Sequence, residues 1–504
     1  MACRAPGEYN MELSQAYDTL WADLGGGFSL VLLVLVGMVL VVWDAFKNEA
    51  PALPWVGAAT LGVALVWEVF HLGSASTTAF YDLIRVGGFA SFINIVVLGS
   101  GLCSIVLSVP YLKQIKHGYG EVYALILFAT VGMILLGTAN NLISIFVGLE
   151  TMSIALYILT GLVREDEGAI ESALKYFLLG AFSTGFFLYG IALLYGATGT
   201  MYLPEMAEGL AARDTVIMFW SGVALFLVGF LFKVSAVPFH MWTPDVYQGA
   251  PTTLTGYMAT ASKAAAFSSL ILVLFYALPN ERWSLVLALV ALVTMVLGNI
   301  LALAQNNVKR MLAYSSIAHA GYILVGLAAG TPDGYAGALY YLLMYALMNI
   351  GAFGVMALLE WDGKEGRLQE IDSLAGVGFR KPLLGVTMGI FMFSLTGFPP
   401  FGGFFGKVAV FAPAIDAGLT WLALVGVLAS LLSAYYYLRV LFVFWMKSPE
   451  EQAEGARQAG FPVPRASAVV IVACAALLIV IGFVPWVREI TQVFFEAVPV
   501  AILP

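Results

Sequence analysis

Charged residues are scarce in this sequence, and their scarcity decides the class of protein. Only 11% of the 504 residues are Asp, Glu, Lys or Arg, whereas 61% are hydrophobic. A soluble domain carries about 25% charged residues, so this composition excludes a chain built from soluble domains. The longest polar stretches run to about 20 residues, and a folded domain needs about 50 or more. The sequence therefore predicts a membrane protein without a soluble domain.

Cysteine is also scarce, and the familiar cofactor motifs are missing. Cys3, Cys103 and Cys474 show no C-x-x-C spacing, which argues against an iron–sulfur cluster, a zinc site or a disulfide framework held by this chain. No G-x-G-x-x-G segment follows a strand, and there is no Walker loop. We therefore expect no cofactor and no metal in this chain, with any redox centre or nucleotide bound elsewhere.

Long apolar runs make up most of the sequence. Many are about 18 to 25 residues long, which suffices for a helix to cross about 30 Å of hydrocarbon. No small-residue cleavage site follows the first run, so we predict no cleaved signal peptide. The chain is predicted to be an all-α polytopic membrane protein with about fourteen transmembrane helices. The runs lie at about 27–43, 51–72, 88–112, 121–138, 139–163, 170–197, 216–248, 253–278, 283–305, 311–330, 335–360, 382–415, 419–446 and 466–486.

The distribution of Lys and Arg predicts the orientation of these helices, because cytoplasmic loops carry an excess of both residues. One side of the predicted topology carries thirteen of them and the other side five. Both termini are therefore expected outside the cytoplasm. The thirteen are Lys47, Lys113, Lys116, Arg164, Lys309, Arg310, Lys364, Arg367, Arg380, Lys381, Lys447, Arg457 and Arg465, and the five are Arg4, Arg85, Arg213, Arg282 and Arg488.

The sequence contains an internal repeat. Asn140 and Asn306 begin similar segments 166 residues apart, and Tyr157 and Tyr322 follow at a separation of 165. The offset covers five apolar runs. Because five is odd, the second copy must cross the membrane in the opposite sense, which is the inverted repeat of many transporters. The matching segments are 140–162 with 306–327, 173–178 with 338–343, and 232–238 with 393–399.

Two runs at equivalent places in the repeat, the seventh and the twelfth, should be broken helices. Each is longer than one crossing and contains proline partway, at Pro238 and at Pro399-Pro400. Proline lacks a backbone donor and clashes with the preceding turn. Broken backbone is tolerated in a membrane only where it is buried in protein or lines a wet cavity. The repeat suggests an N-terminal three-helix segment (1–120), two five-helix repeats (121–280 and 281–446), and a C-terminal loop and helix (447–504).

Four charged residues lie near the middle of apolar runs and are the main functional candidates: Glu150, Lys233, Lys263 and Lys407. A charge at that depth costs about 2.5–3.5 kcal/mol on insertion scales and usually marks an ion path. Burial favours the neutral form of lysine, whereas a nearby carboxylate favours the charged form. A Lys–Glu pair that separates can therefore release a proton, which arginine does not do in a protein.

Three more residues are possible additions to this set. Lys175 lies near the start of the sixth run, His240 follows the break in the seventh, and His319 lies within the tenth. Imidazole titrates near neutral pH. All seven residues also have a structural interpretation, in which the charges form ion pairs between helices or reach an interface. His240 can equally be a satisfied polar group near a helix end.

Several of these segments resemble the antiporter-like membrane subunits of respiratory complex I (NADH:quinone oxidoreductase). GFLFKVSAVPFHMWTPDVYQGAPTTLTGYMATASKAA at 229–265 is similar to the signature of their seventh and eighth helices. Its P-F-H-x-W-T-P-D-V-Y form is that of subunit N and its photosynthetic counterpart. Segments 173–190, 306–322 and 393–411 resemble further subunit N signatures, and the resemblance covers about 120–445.

The resemblance implies a proton path in which Glu150 pairs with Lys233, and protons pass through Lys263 to Lys407. It also implies partners: other membrane subunits of complex I, including antiporter-like paralogues, and the lipid of a bacterial inner membrane, with no nucleic acid. FMN, iron–sulfur clusters and quinone are expected in those partner subunits.

Three functions compete at this point. The first is proton translocation within complex I, driven by quinone reduction in other subunits. The second is a subunit of a multi-subunit cation/proton antiporter. The W-T-P-D-V-Y form favours the first function over this one. The third is a membrane spacer whose buried charges only hold helices together, which four buried charges in series disfavour.

Overall fold

The structure is a computed structural model. It describes residues 19–47, 51–115, 120–213, 215–278, 280–360, 369–446, 463–483 and 486–496. Cys3 and the predicted loop charges Arg4, Lys116, Lys364, Arg367, Lys447 and Arg457 lie outside these ranges, as does most of the predicted C-terminal loop.

Helices coincide with every predicted apolar run, so the all-α membrane fold is confirmed. The helices are α1 Phe28–Phe46, α2 Leu53–His71, α3 Gly88–Gln114, α4 Glu121–Gly137, α5 Leu142–Thr160, α6 Glu167–Thr198, α7 Met206–Ala211, α8 Val216–Lys233, α9 Trp242–Gly249, α10 Thr252–Tyr276, α11 Asn280–Leu303, α12 Val308–Ala328, α13 Pro332–Leu359, α14 Val377–Arg380, α15 Pro382–Thr396, α16 Gly402–Asp416, α17 Thr420–Met446, α18 Arg465–Phe483 and α19 Trp486–Glu496.

Twelve helices in the described part of the chain are long and apolar enough to cross a membrane. Two shorter apolar helices, α4 and α15, lie on predicted runs as well. The number of crossings and the side on which each terminus lies stay predictions.

A short β-hairpin between α2 and α3 was not predicted. Strands β1, Thr77–Ala79, and β2, Ile84–Val86, pair antiparallel. The hairpin is tied to the connection between α4 and α5, because Arg85 N donates to Thr138 O at 2.7 Å and Asn140 N donates to Leu83 O at 3.0 Å. Three-residue strands are too short to show the alternating pattern by which strands are recognised in a sequence.

Both predicted helix breaks are confirmed. The helix α8 ends at Lys233, and α9 begins at Trp242, after an eight-residue non-helical segment that contains Pro238. The indole Nε1 of Trp242 donates to Phe232 O at 2.9 Å, which satisfies one carbonyl released by the break. In the second repeat, α15 ends at Thr396 and α16 begins at Gly402. Gly397 terminates α15 with a φ of 85°, a conformation that favours glycine.

The two halves share local hydrogen bonds at equivalent positions. The carbonyl of Asn140 accepts from Leu203 N at 3.0 Å, and that of Asn306 accepts from Ile371 N at 2.8 Å. Both donors begin short 3₁₀ helices, Leu203–Glu205 and Ile371–Leu374. These contacts agree with the proposed register of the repeat. Superposition of the halves by a half-turn stays a prediction.

One lysine of the orientation argument is buried inside the bundle rather than placed in an exposed loop. Lys309 is the second residue of α12 and is 0% exposed. The chain turns back into the bundle at Asn307, whose side chain caps the helix, so the predicted run begins a few residues earlier than expected. The excess of Lys and Arg on that side remains without it.

Glycine permits a close approach of α4 and α5. A Cβ atom at Gly132 would lie 2.3 Å from Met152 N, and one at Gly148 would lie 2.4 Å from Leu136 N. Because these neighbours are backbone atoms, they cannot move aside as a flexible side chain can. The two helices therefore pack backbone to backbone at this point.

We expect Gly132→Ala to destabilise the subunit by about 1–3 kcal/mol, the usual cost of overpacking a filled interior. The matched control is Gly185→Ala on the exposed side of α6, where an added Cβ meets nothing within 4 Å. The temperature at which the subunit dissociates from the purified assembly compares the two. Equal temperatures for both variants would show that the α4–α5 contact is looser than described.

Candidate functional site

The structure buries all three lysines of the predicted path. Lys233 at the end of α8 is 4% exposed, Lys263 in α10 is 1% exposed, and Lys407 in α16 is 5% exposed. Glu150 in α5 is half-buried. Charges in such surroundings require polar partners, and each lysine obtains them differently.

Lys233 lies among aromatic rings. Its Nζ is 5.4 Å from the ring centroid of Tyr157 and 5.3 Å from that of Tyr176, within the range of cation–π attraction. Nζ makes no hydrogen bond to a described protein atom. Glu150 interacts with it electrostatically without forming a direct ion pair, and the Oε1 of Glu150 instead accepts from Thr184 Oγ1 at 2.8 Å. The two predicted partners are therefore neighbours that do not touch.

Lys263 is held by the second half of the molecule. Its Nζ donates to Ser316 O at 2.8 Å and to Ser316 Oγ at 2.5 Å, both on α12. A π-helical segment, Met258–Ser262, directly precedes the lysine within α10. Such segments often occur at functional sites.

His319 connects the surroundings of Lys263 and Lys407. Its Nδ1 lies 2.7 Å from Tyr341 Oη, and its Nε2 lies 3.1 Å from Tyr437 Oη. It is buried and interacts electrostatically with both lysines. The structure thus brings this additional candidate into the row.

Lys407 uses carbonyls that the second helix break releases. Its Nζ donates to Thr396 O at 2.7 Å and to Leu395 O at 3.2 Å, and also to Ser430 Oγ on α17. The last carbonyls of a helix have no partner within the helix and carry partial negative charge. The C-terminal end of α15 therefore stabilises the ammonium group, which lies 5.0 Å from the ring centroid of Tyr322.

Lys175 lies apart from this row. Its side chain is 42% exposed and pairs with Glu171 at 2.6 Å and with Asp245 at 2.8 Å. Asp245 also pairs with Arg310 at 2.7 Å, so it joins α6, α9 and α12. Ion pairs at such exposure stabilise a fold by only about 0–1 kcal/mol. The geometry favours the structural interpretation of Lys175.

His240 lies in the segment between α8 and α9 and is half-buried. Its Nδ1 is buried and has no hydrogen-bond partner among the described protein atoms. The structure shows no direct contact between His240 and the three lysines.

Sequence reasoning missed the hydroxyl groups that connect the row, Ser316, Ser430, Tyr341 and Tyr437. It also missed Asp245. A lone serine or tyrosine in an apolar run gives no signal of its own, whereas a lone lysine does. The W-T-P-D form around Asp245 was available as a pattern, but it does not specify the partners of the carboxylate.

Within the described ranges, no group of three or more His, Cys, Asp or Glu residues is placed to hold a metal ion. The polar groups assembled around the lysines are hydroxyls and an imidazole, which can accept and release protons, and backbone carbonyls, which only accept hydrogen bonds. Such an arrangement suits the passage of protons between polar groups.

Residues 139–433 match the family model described as NADH:quinone oxidoreductase/Mrp antiporter, TM. The chain is 64% identical to NADH-quinone oxidoreductase subunit N of Salinibacter ruber over 499 residues, covering 98% of this chain and 100% of the relative. It belongs to the family of NADH-quinone oxidoreductase subunit N. Subunit N 1 of Chloroherpeton thalassium is 48% identical over 432 residues, covering 85% of this chain and 89% of the relative.

Two solved structures share the fold of this family member. A chain of respiratory complex I from Thermus thermophilus with bound aureothin has a TM-score of 0.78 at 33% identity, covering 91% of this chain and 97% of that one. A chain of the Mrp complex from Dietzia has a TM-score of 0.82 at 19% identity, covering 94% and 98%. The second likeness concerns the fold alone. All four predicted relay residues lie within the segment that the family model matches.

We expect Lys175→Ala to leave proton translocation near that of the unaltered protein, because the lysine is half-exposed and outside the row. The loss of two partly exposed ion pairs should lower the free energy of unfolding by about 1 kcal/mol at most. Proton translocation per electron pair in vesicles measures the first effect. A loss as large as that of a variant at a buried lysine would place Lys175 in the path.

Proposed function

We propose that this chain translocates protons as subunit N of an NADH-quinone oxidoreductase, through a mid-membrane relay coupled to quinone reduction in other subunits. One observation carries the proposal. Lys233, Lys263 and Lys407 are all buried, and none of them forms an ion pair with a described carboxylate. A fixed structural ion pair is therefore a poor explanation of these charges.

The links of the relay can be followed from Lys407 inward. Lys407 lies beside Tyr322 and within electrostatic range of His319. His319 bonds to Tyr437, whose hydroxyl is hydrogen-bonded to Ser315. The next residue along α12, Ser316, binds Lys263. Hydroxyl and imidazole groups within hydrogen-bond distance can accept one proton while releasing another. Among the described residues no direct hydrogen bond joins Lys407 to His319 or Ser315 to Ser316, so the proposal places water at these two steps.

Water is the proposed link between Lys233 and Lys263. The hydroxyls of Tyr247 and Tyr345 are buried beside Ser316, outside hydrogen-bond geometry with it. Among the described protein atoms, Lys233 Nζ likewise has no hydrogen-bond partner. A buried donor without any partner costs about 1–3 kcal/mol, so these atoms favour ordered water, which bridges polar groups nearly as well as a direct bond.

Lysine is suited to this task because it has two accessible protonation states. Burial favours its neutral form, and a carboxylate such as Glu150 favours its charged form. Protonating one lysine of the row disfavours a proton on the next, because like charges repel strongly where the dielectric constant is low. Charge can therefore pass along the row when the partners of one lysine shift.

The proposal also covers the partner subunits of the chain and its membrane. Because relatives are named subunits of NADH-quinone oxidoreductase, we place this chain beside other membrane subunits, including antiporter-like paralogues. FMN, iron–sulfur clusters and quinone belong to those partners in this proposal. The membrane is the bacterial inner membrane, and the excess of Lys and Arg puts both termini outside the cytoplasm. Labelling of the amino terminus only from the cytoplasmic side would reverse that orientation.

The division into segments 1–120, 121–280, 281–446 and 447–504 is also proposed rather than observed. It is supported by the shared contacts of Asn140 and Asn306. The alternative of a cation/proton antiporter subunit without a redox partner is disfavoured by the 64% identity to a named subunit N.

The experiment substitutes Lys233 in the assembled complex. Lys233→Ala should leave assembly and quinone reduction measurable but lower the number of protons moved per electron pair. Lys233→Arg should be impaired as well, because arginine keeps its charge and does not release the proton. Both are compared with the unaltered complex in sealed vesicles, with a pH-sensitive dye reporting translocation.

The arginine variant decides between the two interpretations of Lys233. If Lys233→Arg moves protons normally, the lysine is only a fixed charge and the relay is refuted. If both variants lose translocation while the complex remains assembled, proton release from Lys233 is required.

A further inference from the structure

A second buried charge cluster lies at the end of the molecule where α12 begins and α13 ends. Lys309 and Glu360 have side chains that are 0% and 1% exposed, and the Nζ of Lys309 is 4.0 Å from Glu360 Oε1. Neither residue belongs to the row of lysines described above. Lys309 is the second residue of α12, and Glu360 directly follows α13.

Besides Lys309, three neutral side chains among the described residues contact the carboxylate of Glu360. Its Oε1 accepts from Gln369 Nε2 at 2.5 Å, and its Oε2 accepts from Tyr111 Oη at 3.2 Å and from Thr252 Oγ1. Lys309 Nζ donates to Ala250 O at 2.7 Å. Neutral groups of the described chain thus contact both the ammonium and the carboxylate, and two of the groups bonded to the carboxylate are hydroxyls.

Burying the two charges of this cluster costs free energy that a purely structural role does not explain. Removing two charges from water costs several kcal/mol for each ion, and apolar residues of similar volume often stabilise a fold as well as a buried ion pair does. Lys309 also lies in the first turn of a helix, where the helix dipole disfavours a positive charge. The cost indicates a function for the charges.

The cluster lies in line with the relay. Lys309 and Ser316 are seven residues apart on α12, which places them on the same face and about 10 Å apart along the helix axis. Thr252, which is bonded to Glu360, begins the helix that carries Lys263. The buried hydroxyl of Tyr247, three residues before Ala250, lies beside Ser316. Polar groups therefore extend from Glu360 towards Lys263.

We propose that Glu360 is a further proton-binding site, which takes up protons at this end of the molecule and supplies Lys263. The inference rests on the relay proposed above, and it adds a residue to it. In the step, the carboxylate gains a proton and becomes neutral. The O–H bond then breaks as an N–H bond forms at the neutral amine of Lys263, with hydroxyls and water each accepting one proton and releasing another. Lys309 stays protonated throughout, and its positive charge favours the ionised form of the Glu360 carboxylate once the proton has left.

The proposed orientation gives this end a direction. The connection that leads into α12 and the one that leaves α13 lie on the side that carries most of the Lys and Arg residues, which we assign to the cytoplasm. Uptake from the cytoplasm at Glu360 and transfer to Lys263 is therefore the expected sense of movement.

The test compares neutral variants in the whole complex, in sealed vesicles. Glu360→Gln keeps the size of the side chain and one acceptor oxygen, for either Gln369 or Thr252, but cannot bind and release a proton. The double variant Lys309→Met, Glu360→Gln removes both charges, so it leaves no lone buried ion. The control is Glu68→Gln, at a carboxylate that is 4% exposed and bonded to Ser29 at 2.6 Å and Ser91 at 2.7 Å, outside the relay.

We expect both neutral variants to lose proton translocation per electron pair to the extent of Lys233→Ala, with quinone reduction still measurable. The Glu68→Gln control should keep the ratio of the unaltered complex. If the single variant does not assemble, the double variant decides, because it removes the uncompensated charge that would prevent assembly.

Normal translocation by the double variant would overturn the inference, since the pair would then be a structural tie. Failure of both neutral variants to assemble would also overturn it in favour of a structural role. The failure of the relay itself is distinguishable: there, Lys233→Arg pumps normally. Normal pumping by the neutral Glu360 variants with impaired Lys233 variants refutes only the role of Glu360.

Discussion

A charge inside this helical bundle needs polar partners, because neither lipid tails nor apolar side chains can form hydrogen bonds with it. The three lysines of the row meet this constraint in three ways. Lys407 binds carbonyls at the end of a broken helix, Lys263 binds a serine on another helix, and Lys233 lies between aromatic rings near a carboxylate. Each arrangement holds the ammonium group without an ion pair to a described carboxylate, as the proposed relay requires.

The helix breaks supply some of these polar partners, because they free backbone carbonyls. A continuous helix would bond its own carbonyls, and Lys407 would then lack the oxygens of Leu395 and Thr396. The two proposed repeats have one feature in common, a tyrosine ring beside a buried lysine. Tyr157 lies beside Lys233, and Tyr322, its proposed equivalent, lies beside Lys407, although one lysine precedes its break and the other follows it. Each half therefore places a tyrosine ring beside a buried lysine, and the lysine reaches that ring from a different side of the helix break in each half.

The fold and half of the site could be predicted from the sequence. Proline within overlong apolar runs indicated both breaks, and lysines in apolar runs were visible because charges are so rare. The partners could not be predicted in the same way. Ser316, Tyr437 and Ser430 resemble ordinary residues of a membrane helix, and only the packing of distant helices brings them to the lysines. Lys309 was misplaced because a charge near the end of an apolar run resembles a loop charge.

We propose that protons cross between Lys233 and Lys263 through water held by buried polar atoms. An experimental structure of the assembled complex, at a resolution that shows ordered water, would reveal this link. We expect water bonded to Lys233 Nζ, and further water that connects the hydroxyl of Tyr247 to Ser316. Direct closure of Lys233 onto Glu150, with dry packing between Lys233 and Tyr247, would contradict it.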